Sequence, residues 1–131
     1  MTSAANAVSL LVFEAADCLM AVPASEVSQL EGQLGRGSDP LSTKVENRQR
    51  FDLGEYFSGH ESEGPWLRWR RGSRSAWLRV RCVVDVVPVA LSVLTPMPKL
   101  LRGQQLTRAF LAAGVRGDDV FLLLDPARLT P

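Results

Sequence analysis

The chain has 131 residues, 46 % hydrophobic and 22 % charged, with a formal net charge of +1. That length suits one compact domain with a real core, or two small sub-barrels sharing it, and the composition excludes a disordered chain. Near-neutral charge gives no general attraction to nucleic acid or anionic lipid, so such a partner would need a local cluster.

Met1 to Ala7 carries no basic residue, and the apolar run Val8 to Phe13 is followed by Glu14 and Asp17, unlike a secretory signal. No window approaches the roughly 20 apolar residues that span a bilayer. A cytoplasmic protein without membrane insertion is expected. Cys18 and Cys82 are too few for a disulfide framework and lack the spacing of a zinc site, so both are expected as buried thiols in a reducing compartment.

Taken in order, Val8 to Glu14 and Cys18 to Val22 predict an opening hairpin across Ala15-Ala-Asp17. Pro23 and the three-residue spacing of Val27 and Leu30 predict one or two turns of helix. Residues 31–43, with three glycines and Asp39-Pro40, predict a loop. Val45 to Phe51 is polar enough to be at best an exposed edge strand. Asp52 is placed to cap a helical turn whose apolar stripe is Leu53, Tyr56 and Phe57. A second loop, Ser58 to Gly64, holds the only histidine, His60.

Pro65 to Arg71 and Arg74 to Arg81 flank Gly72-Ser73, a connection that closes a tight hairpin. Pairing Arg71 with Arg74 sets Leu67 opposite Leu78, Trp69 opposite Ala76, Trp66 opposite Arg79 and Arg68 opposite Trp77. One face is then apolar, and the other carries Trp66, Arg68, Arg70, Trp77, Arg79 and Arg81. Residues 77–98 form the longest β-rich stretch, read as two joined strands. Val83 to Val89 is apolar on both parities around Asp85, which predicts a bend there, and Pro88 requires an edge or a bulge. Lys99 to Ala113 suits a helix or a strand. Gly114 to Asp119 is a turn signal, Phe110 to Val115 pairs with Val120 to Leu124 as a hairpin, and Asp125 caps a last turn that tucks in Leu129.

No catalytic constellation stands out. His60 lacks a nearby cysteine and sits among glycine, serine and glutamate, and Asp85, Asp118, Asp119 and Asp125 occupy ordinary turn and strand-end positions. The glycine-rich segments 32–37 and 114–117 lack the strand-to-helix setting of a phosphate loop. A non-enzyme without metal or cofactor is expected.

Three ordered segments resemble the CheW family of bacterial chemotaxis adaptors. Leu11-Val-Phe-Glu, Leu19-Met-Ala-Val-Pro23 and Val27 with Leu30 are similar to its opening strands and the segment after them. Leu78 to Val87, ending in Val84-Asp-Val-Val87 before Pro96-Met-Pro98, resembles its Val-Asp-x-Val strand. Phe110 to Val115 with Val120-Phe-Leu-Leu-Leu-Asp-Pro-Ala-Arg-Leu129 resembles its closing hairpin, leucine-rich strand and final turn. The chain looks like a divergent member, because the family's Asn-Leu-Arg-Gly and its proline are replaced before Phe51-Asp-Leu53 by Val45-Glu-Asn-Arg-Gln-Arg50.

This resemblance implies a mainly β fold: two five-stranded barrels packed as one domain over residues 1–131. The first spans about residues 20–80 and the second 82–115, with the termini crossing over. It also implies a scaffold that bridges a chemoreceptor and the regulatory domain of a CheA-type histidine kinase, with other CheW-like proteins as further partners. By position Val27, Gln29 and Leu30 match one side of the receptor groove and Val86 and Val87 lie near the other, while Arg48 or Arg50 stands in for the missing arginine. Loss of receptor binding in favour of another protein partner is the alternative within that family. The plainer reading of the four aliphatic residues is core packing. The rival class rests on the Trp/Arg face, which is either a protein interface or a stacking platform for single-stranded nucleic acid.

Overall fold

Strand β1 (Ala7–Ala15) is apolar on both sides, and this decides the architecture. Leu11, Phe13 and Ala15 join one apolar cluster, while Val8, Leu10 and Val12 join another, so each side of the strand meets its own core. The computed structural model describes residues 7–31, 50–96 and 108–130. Besides β1 it contains β2 (Cys18–Pro23), β3 (Val27–Glu31), β4 (Arg50–Asp52), β5 (Trp66–Arg71), β6 (Arg74–Arg79), β7 (Cys82–Ala90), β8 (Thr95–Pro96), β9 (Phe110–Arg116) and β10 (Asp119–Leu124), with one helix, α1 (Leu53–Ser58). The fold is mainly β, as expected.

The strands form two sheets, ordered β7-β1-β2-β10-β9-β8 and β3-β5-β6-β4. The larger cluster lies between them, joining Phe13, Met20 and Val22 of the first sheet to Phe51, Leu67, Trp69 and Leu78 of the second. The smaller cluster, with Leu10, Val12, Ala21, Val89 and Phe121, draws only on the first sheet and the Leu94 segment beside it. That sheet is rolled: Arg116 of β9 and Asp85 of β7, four strands apart in the order, meet at 3.5 Å. Instead of two five-stranded barrels, the described strands number six and four. Among the described residues neither sheet closes through hydrogen bonds between its end strands.

The opening hairpin forms as expected, but its turn is made by Ala16 and Asp17, both at positive φ (53° and 62°). A two-residue turn needs that conformation to match strand twist, and glycine would adopt it with less strain. After Pro23 the expected helix shrinks to a 3-10 turn over Ala24–Glu26, and Val27 and Leu30 fall on β3. Their three-residue spacing has another cause. Val27 pairs with Trp69 but Gln29 with Arg68, so Ser28 is an extra residue in a bulge that returns Val27 and Leu30 to one face.

Asp52 caps α1 by accepting from Glu55 N at 3.2 Å, and its two oxygens also accept from Ser62 N, which pins the loop that follows. Leu53 is fully buried, and Phe57 stacks on Phe110 at 5.0 Å. The β5–β6 hairpin has the predicted register at every quoted pair, and Gly72 supplies the positive φ of its turn.

The stretch from residue 77 changes sheets between two consecutive residues. Val80 N donates to Pro65 O beside the second sheet, whereas Arg81 N donates to Glu14 O of β1. The predicted bend near Asp85 is a second event: Asp85 pairs with Val12 but Val83 with Phe13, leaving Val84 as a bulge. The bulge turns Val83 to the larger cluster and Val87 and Val89 to the smaller one. Pro88 is exposed on β7, an edge strand, where no ladder donor is required.

Strand β9 takes in Gly114 and Val115, as the expected Phe110 to Val115 strand requires, and extends to Arg116; the turn signal over Gly114 to Asp119 narrows to Gly117-Asp118. Gly114 pairs with Phe121, and a Cβ there would lie 2.4 Å from the Phe121 ring. The glycine makes room for the ring that fills the smaller core. Asp125 caps the final turn, and Leu129 is buried. The expectation for residues 32–45 and most of Lys99 to Ala113 lies outside the described residues.

Candidate partner-binding surfaces

Of the four aliphatic residues singled out from the sequence, the structure exposes two. Leu30 is 57 % exposed on β3, an edge of the second sheet, although its partner Leu67 is fully buried. Paired residues share a face, so Leu30 prolongs the core-facing side of the sheet beyond its cover. Val86 is 50 % exposed on β7 and pairs with Leu11, which packs on the larger cluster. It too stands on the side of its sheet that buries the shared core. Val27 packs against the larger cluster and Val87 against the smaller, so Val86 and Val87 face opposite ways. Gln29 is opposite Arg68 by register, Arg50 is exposed at the start of β4, and Arg48 lies outside the described residues.

The Trp/Arg face departs from its sequence reading in two respects. Trp77 is 2 % exposed, so its ring offers no open platform. Arg81 leaves this face because the chain has already crossed to the first sheet, where Glu14 takes its guanidinium and raises its pKa. The remaining residues interleave as predicted: the Arg68 guanidinium sits 5.8 Å from Trp77 and that of Arg79 5.7 Å from Trp66. Arg79 also donates to Gly64 O at 3.3 Å, and Arg70 is exposed. The parallel register of β4 with β6 adds Arg50 beside Trp77.

A clasp between the sheets went unnoticed in the sequence. Glu26, in the turn before β3, accepts from Trp69 Nε1 at 2.7 Å and from Arg71 Nε at 2.9 Å and Nη2 at 3.2 Å. Arg71 lies over the Trp69 ring and reaches Asp125 at 3.1 Å, and Asp125 is further paired with Arg128 at 3.4 Å. The Glu26 hydrogen bond, followed by the nearby carboxylate charges, raises the Arg71 pKa. No local motif signals this network, because its members come from three distant segments.

The thiols differ from expectation: both are free, but Cys18 is exposed and Cys82 only half-buried. Burial, with a hydrogen bond to Glu14 at 3.6 Å, pushes the Cys82 pKa up, the wrong direction for a nucleophile. His60 is exposed beside a depression of about 430 Å³ that it shares with Asp17, Glu61, Ser62, Glu63 and Arg81. Among the described residues no group of three or more His, Cys, Asp or Glu side chains could hold a metal, and no helix is long and apolar enough to cross a membrane.

Among solved structures, the crystal structure of the scaffolding protein TtCheW from Thermoanaerobacter tengcongensis superposes with a TM-score of 0.68, covering 89 % of this chain and 88 % of that one at 16 % identity. The chain therefore has a CheW-like fold. No family model and no curated protein matches it.

Proposed function

We propose that this chain is a non-catalytic cytoplasmic adaptor of a bacterial chemosensory system, coupling a chemoreceptor to the regulatory domain of a CheA-type histidine kinase. The observation that carries this reading is the pair Leu30 and Val86, aliphatic side chains left exposed on the core-facing sides of two edge strands. Apolar side chains in such positions gain by being covered by a partner. Similarity in fold to a scaffolding protein supports binding rather than chemistry as the task. The chain acts as one domain with two subdomains, one around each sheet, and other CheW-like proteins are further candidates as partners. Val27 and Val87 hold the rim in place from within, and Arg50 supplies a cation at the margin where the family's arginine is missing.

The test is calorimetric titration of the full chain with a receptor signalling-tip fragment and with the kinase regulatory domain. Leu30→Glu and Val86→Glu should each weaken binding by about tenfold or more while leaving the thermal midpoint unchanged, because neither side chain is part of the packed core. Failure to bind either fragment would sink the proposal. Binding of the kinase without the receptor would identify a divergent paralogue, and a further loss in Arg50→Ala would give that arginine a contact role. The nucleic-acid reading retains only Trp66 as a partly accessible ring. Retention on a single-stranded oligonucleotide that falls steeply with salt would revive it.

A further inference from the structure

The two most exposed large hydrophobic side chains on β9 and β10 are direct neighbours. Val115 is 68 % and Val120 61 % exposed, and they pair across the hairpin on the face opposite Gly114 and Phe121. A cross-strand aliphatic pair exposed to this extent leaves most of its apolar area in water, where a polar pair would keep the same ladder. Beside it lies a depression of about 490 Å³ lined by Glu14, Asp17, Cys18, Asp119, Val120 and Leu122. The parallel pairing of β10 with β2 brings the start of both strands to this spot. Its rim is acidic: Asp17 and Asp119 line it and Asp118 precedes Asp119 in the turn; all three are exposed, and among the described residues none of them is in a salt bridge. No lysine or arginine among the described residues lines it, and Arg81 and Arg116 of adjoining segments pair with Glu14 and Asp85.

We propose that Val115 and Val120 with the adjoining depression form a second docking surface, for a protein segment whose apolar side chains are flanked by lysine or arginine. The apolar pair and the Leu122 floor take the aliphatic side chains, and Asp17, Asp118 and Asp119 take the flanking cations. This surface is separate from the Leu30 and Val86 rim, so it stands or falls independently of the receptor and kinase reading.

The experiment titrates isotope-labelled full chain with two short synthetic peptides that share a Leu-Val-Leu centre, one flanked by lysines and the other by glutamates. The lysine peptide should shift the amide resonances of Val115, Asp119, Val120 and Cys18, with an affinity that falls as salt rises. Val120→Thr should weaken it by about tenfold and Asp119→Asn by a few-fold. Both substituted side chains are exposed, and the unchanged resonances of the cores serve as the folding control. Equal response to the two peptides, no response to either, or shifts confined to other surfaces would overturn the proposal. Concentration-dependent shifts of the same amides without peptide would assign the surface to a second copy of the chain and overturn the proposed occupant.

Discussion

Replacing Glu26 tests whether the clasp or the cores hold the two sheets in register. In Glu26→Ala the buried indole N–H of Trp69 loses its acceptor, found at 2.7 Å, and Arg71 loses a two-pronged partner while keeping Asp125. Stranding a buried donor costs about 1–3 kcal/mol. The ion pair adds roughly 0–1 kcal/mol, because the Arg71 side chain is 43 % exposed and solvent screens it. The expected loss is therefore about 1–4 kcal/mol. Glu26→Gln keeps an acceptor for the indole and gives up only the charge, so it should cost about 1 kcal/mol or less. Urea unfolding followed by tryptophan fluorescence reads both, and the alanine variant should lower the midpoint by about 1 M for a mid-range loss of about 2 kcal/mol at an m-value of about 2 kcal/mol/M. In a Trp69→Phe background, where the donor is gone, the alanine penalty should shrink toward the ion-pair value. Equal losses in Ala and Gln variants, or an alanine penalty unchanged by Trp69→Phe, would refute the assignment of the main effect to the buried indole.

Three further outcomes follow from single positions. Gly114→Ala should destabilise by about 2 kcal/mol or more, since its Cβ would fall 2.4 Å from the fully buried Phe121 ring, and Phe121→Leu should recover part of the loss in thermal unfolding of the double variant. Ala16→Gly should stabilise by about 0.5–1 kcal/mol, because an L-residue at φ 53° carries about 1–2 kcal/mol of strain, offset in part by the unfolded-state freedom of glycine; a lower midpoint would contradict the turn geometry. In single-cysteine variants a disulfide reagent at mildly alkaline pH should modify the exposed Cys18 quickly and Cys82 slowly. The raised Cys82 pKa keeps its thiol protonated in the fold, so the stability this contributes is present below the unfolded pKa and is lost as pH rises through the folded one. Rates that are equal before unfolding would contradict the burial of Cys82.

Much of the strand pattern was legible from local chemistry. The β5–β6 hairpin and its register, the Asp52 and Asp125 caps, the edge position of Pro88 and the bend near Asp85 all follow from interactions within a few residues, where residue type and spacing leave few alternatives. Val27 and Leu30 were misread as helical because a β-bulge and a helix turn both place residues three apart on one side. What only the tertiary structure decided is which apolar side chains end up covered. Leu30 and Val86 have the same chemistry as Val27 and Val87, yet one pair lies at open margins and the other in packed clusters. Trp77, Arg81 and the Glu26–Arg71–Asp125 clasp were likewise settled by where the chain changes sheets and by contacts between segments remote in sequence. Burial depends on what a neighbouring sheet covers, and periodicity within a strand carries no record of that neighbour.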